Sequence, residues 1–220
     1  MAIDTVIFDL DGTLLDTLDD LAAAFNYAMQ QQGFKTYNRE EVRGFVGNGI
    51  RKAFERALGA DINADELENF ICLFKNFYIE HLHEKTKPYD GILDMLSELK
   101  KMKYKTGIVS NKYDAAVQVL HRDYFAGLID AAIGEGGNIR RKPYPDGIIK
   151  IAGLLGSKLD NIIYAGDSEV DAKTAENCTI PCISVLWGFK EKDYLIKYGA
   201  KIFAEKPMDI VDYLKNKSCK

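Results

Sequence analysis

Thr5-Val6-Ile7-Phe8-Asp9-Leu10-Asp11-Gly12-Thr13 is the stretch on which the fold turns: a short apolar, β-branched run that stops abruptly at an acidic turn. It reads as a buried strand delivering its chain into a loop, and a strand end is a natural place for chemistry. Outward from it the pattern becomes helical. Leu18, Leu21, Ala22, Phe25, Ala28 and Met29 recur at helical spacing after a cap at Asp16 or Thr17, and Gly33 closes the segment. A second helical piece covers about 50–58 and ends at Gly59. A third carries Leu67, Phe70, Ile71, Phe74, Phe77 and His81 on one stripe, with Asn63 and Glu66 as a capping-box-like start. Residues 16–84 therefore read as consecutive helices, with Phe70, Phe74, Phe77 and Tyr78 as their core.

After Pro88 helices and strands alternate: helix 91–102, strand 105–109, helix 113–120, strand 130–133, helix 145–155, strand 161–165, helix 170–176, strand 181–186, then Ile202-Phe203 and a last helix from Met208. This predicts an α/β fold, a Rossmann-like parallel sheet core of residues 1–15 and 85–220 with a small α-helical cap domain, 16–84, inserted after the first strand. The linkers near Leu15 and at 85–88 are the candidate hinges for a cap that opens and closes.

The composition accords with one large domain plus an insert: 220 residues, 47% hydrophobic, 28% charged. A net charge of −4 argues against a general polyanion-binding surface, and Arg140-Arg141-Lys142 reads as a loop with one functional lysine. No nucleic-acid or membrane partner is expected. No apolar run approaches the roughly 18 residues that span a bilayer, and the acidic amino end is unlike a signal peptide, so a cytoplasmic location is expected. Cys72, Cys178, Cys182 and Cys219 match neither a redox nor a zinc motif and read as reduced thiols. His81, His83 and His121 do not form a zinc site either.

In an open parallel sheet, ligands bind beyond the carboxyl ends of the strands. There the sequence places Asp9 and Asp11, then Ser110-Asn111-Lys112, then Gly166-Asp167-Ser168 with Asp171 beyond. Four carboxylates on one edge repel, so either some are protonated or a cation holds them, and an all-oxygen set suits Mg2+. A carboxylate nucleophile beside such an ion, with Lys142 and a strand-end hydroxyl, suits phosphoryl transfer from a phosphate ester.

These residues resemble the haloacid dehalogenase superfamily over essentially the whole chain. Its D-x-D-G-T motif occurs as Asp9 to Thr13, its strand-end hydroxyl as Ser110, its lysine as Lys142 before Pro143-Tyr144-Pro145, and its acidic motif as Gly166-Asp167-Ser168-Glu169-Val170-Asp171. The resemblance implies that Asp9 attacks phosphorus and that Asp11 is the general acid and base. It implies Mg2+ held by Asp9, Asp167 and the Asp11 carbonyl, with Asp171 supporting the metal or Lys142. Phosphate oxygens would be held by Ser110, Asn111, Lys142 and the backbone N–H groups of the first loop at Leu10 and Asp11. Asp11 speaks against a dehalogenase. Phe45-Val46-Gly47-Asn48-Gly49-Ile50 is similar to the cap loop of the phosphoglycolate phosphatase subgroup, which makes Gly47, Asn48, Gly49 and Arg51 candidate substrate contacts.

The implied activity is Mg2+-dependent hydrolysis of a small phosphorylated metabolite. The alternatives are a phosphomutase resembling β-phosphoglucomutase, a pyrophosphatase, or a non-enzymatic phosphometabolite sensor. Trp187-Gly188-Phe189 reads as strand-end packing. One departure from the family pattern is Cys178-Thr179, where Ala-Gly is usual; it bears only on how a helix ends.

Overall fold

The computed structural model describes residues 3–59 and 62–218; Cys219 lies outside them. Along the chain come β1 (Thr5–Phe8), β2 (Leu15–Asp16), α1 (Leu18–Gln31), α2 (Arg39–Phe45), α3 (Ile50–Leu58), α4 (Ala64–His81) and β3 (Lys87–Pro88). Then follow α5 (Ile92–Lys101), β4 (Lys105–Tyr113), α6 (Asp114–Phe125), β5 (Ala131–Glu135), α7 (Asp146–Leu155), β6 (Ile162–Gly166) and α8 (Glu169–Asn177). The chain closes with β7 (Cys182–Val185), α9 (Lys192–Lys197), β8 (Ile202–Ala204) and α10 (Met208–Ser218).

Two compact units result, one from residues up to Leu15 together with Pro88 onward, the other Asp16–Lys87. The first holds a six-stranded sheet in the order β5-β4-β1-β6-β7-β8, with its paired strands parallel. β1 is central because Val6, Ile7 and Phe8 are fully buried and pair on both edges: Phe8 lies opposite Ile108 of β4 and Ala165 of β6. After β5 the chain returns to the other side of β1, so the crossovers on the two sides diverge and leave a crevice at the carboxyl end of β1. Ile7, Val109, Ile148, Ile151, Ile162 and Tyr164 form one core cluster beneath that edge.

The second unit is built on aromatic packing. Phe25 of α1 stacks on Phe54 of α3 at 4.4 Å, and Phe54 meets Phe70 and Phe74 of α4. Phe70, Phe74 and Tyr78 are buried as expected, whereas Phe77 is only partly covered and stacks on Tyr27 and His81.

Two helices, α2 and α9, escape periodicity, and β4 outruns the strand read at 105–109. α2 buries only Val42, too little for an apolar repeat, and is held instead by a capping box: Glu41 N–H donates to Asn38 Oδ1 at 2.9 Å and Asn38 N–H to Glu41 Oε2 at 2.7 Å. β4 runs on to Tyr113 through a register shift after Val109, so Ser110, Asn111 and Lys112 belong to the strand and the helix starts at Asp114. The six-residue α9 is too short for a pattern.

α8 ends with the N–H of Thr179 on Glu176 O and that of Ile180 on Ala175 O, a Schellman turn that puts Thr179 at φ 57°. A β-branched residue is disfavoured there. Thr179→Gly should therefore stabilise the protein by about 1 kcal/mol, read as a higher melting temperature; an unchanged or lower value would refute the strain.

Candidate active site

Asp9 leaves β1 with its N–H on Ala165 O, which fixes the backbone before the loop turns. Both hydrogen-bonding contacts of its carboxylate fall on Oδ1: Leu10 N–H at 2.7 Å and Lys142 Nζ at 2.8 Å. Leu10 N–H, expected to face phosphate, thus holds the Asp9 side chain. Lys142 is buried and also donates to Asp171 Oδ1 at 2.7 Å and to Tyr164 Oη at 3.0 Å. Its backbone is gripped by Asn111, whose Nδ2 donates to Lys142 O and whose Oδ1 accepts Lys142 N–H. Asn111 was expected on phosphate; its amide is spent on placing the lysine.

Asp171 is fully buried and accepts from Ser168 N–H, Ser168 Oγ, Tyr164 Oη and Lys142. It therefore anchors the ammonium. Asp167 Oδ2 accepts the Phe189 N–H at 2.6 Å, and Oδ1 the Thr13 hydroxyl at 3.3 Å. Carboxylate oxygens of Asp9, Asp167 and Asp171 lie within 4.8 Å of one another. The expected fourth member, Asp11, stands apart: its Oδ1 pairs with Lys112 Nζ at 2.7 Å. β4 carries both Lys112 and the buried Ser110, whose Oγ accepts Lys112 N–H at 3.3 Å.

Three buried carboxylates against one ammonium leave excess negative charge. Burial pushes the Asp9 carboxyl up to about 7, with Lys142 pulling it back and Asp171 and Asp11 adding to the rise. Burial, then Asp171 and Asp9, holds Asp167 well above the usual carboxylate range. Burial opposes the charge on Lys142, but Asp171 and Asp9 outweigh it and keep the lysine protonated. An all-oxygen set with surplus negative charge fits a hard divalent cation.

This charge has a measurable consequence. A folded-state value near 7 against 3.8 means that the fold binds more protons than the unfolded chain between those pH values. Stability then falls as pH rises from about 4 to 7, by at most ~4 kcal/mol from this group. Without a divalent ion the melting temperature should drop between pH 5 and 7.5, and Mg2+ at about 100-fold its dissociation constant, worth about 2.7 kcal/mol, should remove most of the drop. A flat profile without the ion would refute the charge imbalance.

Several residues of the site carried no chemical signal in the sequence. Tyr164 sits in an apolar strand, and Lys112 follows a recognised hydroxyl without any motif of its own. Ser168 was legible as the cap of S-x-x-D. Trp187-Gly188-Phe189, read as packing, also bonds to the site: besides the Phe189 N–H, Trp187 Nε1 donates to Thr13 O at 2.9 Å. Gly47, Asn48, Gly49 and Arg51 lie in the helical unit, where Gly47 and Gly49 have φ of 108° and 81° and Arg51 pairs with Glu68.

The profile of the haloacid dehalogenase-like hydrolases matches residues 6–185, most of the chain. The chain belongs to the haloacid dehalogenase-like hydrolases. Among curated members of similar sequence, the pyrophosphatase PpaX of Bacillus mycoides (strain KBAB4) is 29% identical over 97% of this chain and 98% of its own. The phosphoglycolate phosphatase of Aquifex aeolicus (strain VF5) is 27% identical over 96% of each. A crystal structure of a candidate phosphoglycolate phosphatase from Lactobacillus delbrueckii subsp. bulgaricus superposes with a TM-score of 0.94 at 35% identity, covering 97% of this chain and 99% of that one. As a haloacid dehalogenase-like hydrolase the chain is an enzyme, and its α/β core is the family's. No helix among the described residues is long and apolar enough to cross a membrane.

Proposed function

We propose that this hydrolase is a phosphatase that cleaves a small phosphomonoester through an aspartyl-phosphate on Asp9. The observation that carries the reading is the state of Asp9, a buried strand-end carboxylate whose Oδ1 is held by Lys142 and Leu10 N–H. Oδ2 then attacks phosphorus; the new O–P bond forms as the ester P–O bond breaks, and Asp11 gives its proton to the departing oxygen. Water next attacks the aspartyl-phosphate and gives a proton to Asp11. The Asp9–phosphate bond breaks, and inorganic phosphate leaves.

Lys142 and the Ser110 hydroxyl, with the Asp11 N–H, neutralise and orient the phosphate oxygens, while Asp171, Tyr164 and Asn111 hold Lys142 in place. Mg2+, held by Asp9, Asp167 and the Asp11 carbonyl, would supply positive charge for the phosphate that one lysine cannot. The helical unit acts as a cap, with the Gly47-Asn48-Gly49 loop and Arg51 choosing the substrate.

Phosphoglycolate is the substrate we favour, supported by the cap loop and by the name of the Aquifex relative. Pyrophosphate is the second reading, supported by the Bacillus relative. Cys72, Cys178 and Cys182 are unbridged, which accords with a cytoplasmic enzyme. The test is release of inorganic phosphate from phosphoglycolate, pyrophosphate, glucose 1-phosphate and p-nitrophenyl phosphate, with Mg2+ and with chelator. Turnover of at least one that stops on chelation is expected; inertness towards all four would overturn the phosphatase reading.

A further inference from the structure

We infer that Lys112 is a specificity-determining residue that selects substrates whose leaving group carries a negative charge. The inference rests on the phosphatase reading above and deepens it. Two buried ammonium groups serve this site through different acids. Lys142 sits on the nucleophile, 2.8 Å from Asp9, and is shared with Asp171 at 2.7 Å. Lys112 sits on the other acid, 2.7 Å from Asp11, with its side chain only 4% exposed.

That difference of partner matters chemically. A residue that protonates the departing oxygen must lie within hydrogen-bond reach of it. An ammonium bonded to that same residue is then about two hydrogen-bond lengths from the leaving oxygen. A carboxylate or phosphate attached there falls within its field, and a desolvated cation is poorly screened. A neutral alcohol gains nothing from it. Lys112 is also held firmly: it is the second-last residue of β4, beside Asn111, and its N–H is fixed on Ser110 Oγ. Its reach is therefore set by the strand that carries the phosphate-binding hydroxyl. Lys142 does not take the role, since Asp9, Asp171 and Tyr164 hold its ammonium at the nucleophile, where it meets the transferred phosphate rather than the leaving group.

The measurement compares phosphoglycolate with its methyl ester, which keeps the shape of the leaving group and removes its charge. In the parent, kcat/KM should favour the free acid by about 10-fold or more. Lys112→Met should slow both substrates, through the lost support of Asp11, and reduce that preference at least ~10-fold, whereas Lys112→Arg should keep most of it. Equal slowing of both substrates with the preference intact would overturn the inference, leaving Lys112 as a positioning residue for Asp11. Equal rates on both substrates in the parent would also overturn it, whether or not Lys112→Met folds. Lys112→Gln, checked by circular dichroism and melting, provides a second uncharged variant. A parent that hydrolyses neither compound, nor p-nitrophenyl phosphate, fails at the phosphatase reading itself.

Discussion

Asp9→Asn should abolish turnover, by about 10³-fold or more, and at the same time raise the melting temperature of the metal-free protein. The two effects have one cause. Asp9 is buried beside Asp167 and Asp171, and its ionised form is held there at a cost, which burial and Asp171 set and Lys142 only partly offsets. Asparagine keeps the shape and an oxygen for Leu10 N–H and Lys142, but has no anionic oxygen to attack phosphorus. Lys142 retains Asp171 as its partner, so no cation is stranded. The gain in stability should be largest above pH 7, where the parent's carboxylate is ionised, and should vanish near pH 4. Phosphate release and thermal melts on one preparation check both halves. Retained turnover would remove Asp9 as nucleophile, and a lower melting temperature at pH 8 would show that its charge is compensated.

Gly188→Ala is the second large effect, and no motif points to it. A Cβ at Gly188 would strike Asp167 Cβ and the carbonyl of Gly12, with Asp167 Oδ2 at 2.6 Å. Gly12, at φ 80°, also comes so close that a Cβ there would strike the same carboxylate. Asp167 is thus closely approached by two glycines, and is bonded to Phe189 N–H and to the Thr13 hydroxyl, while Trp187 ties Thr13 O to the same segment. A methyl group at 188 must push the carboxylate aside. We expect a loss of about 10²-fold in turnover, the scale of an ångström's misplacement, with about 1–3 kcal/mol of lost stability from overpacking. Calorimetric titration of Mg2+ should show weaker binding even where the melt shows a folded protein. Unchanged Mg2+ affinity would mean that Asp167 tolerates the displacement.

The route from sequence to site is clear for some residues and blocked for others. The β1 run and its acidic turn were legible because a buried strand and an abrupt change to charge are local signals. Ser110 and Asp167 with Asp171 were legible because they follow recognisable strands, whereas Lys142 was legible only through the family pattern Lys142-Pro143-Tyr144-Pro145. α2 was not, since seven residues with one buried side chain leave no period, although Asn38 and Glu41 spelled its cap. The end of β4 is not legible, since its register shift keeps the polar Ser110, Asn111 and Lys112 in the strand, where the pattern reads a loop followed by a helix from Tyr113. Asn111 illustrates the limit on roles: an amide at a strand end suits phosphate as well as it suits backbone, and only its bonds to Lys142 tell which it serves.

What the sequence by itself determined was the alternation of strands and helices, the inserted helical unit, and the acidic residues assigned to one sheet edge. These follow from hydrophobic period and strand order, which are properties of neighbouring residues. Only the tertiary structure decided which charges pair: Lys142 with Asp9 and Asp171, Lys112 with Asp11, and Asp167 with a backbone N–H contributed 22 positions later in the chain. Such partnerships depend on distances of a few ångströms between segments far apart in sequence, and electrostatic energies in a buried site change with those distances far more steeply than any local pattern can record.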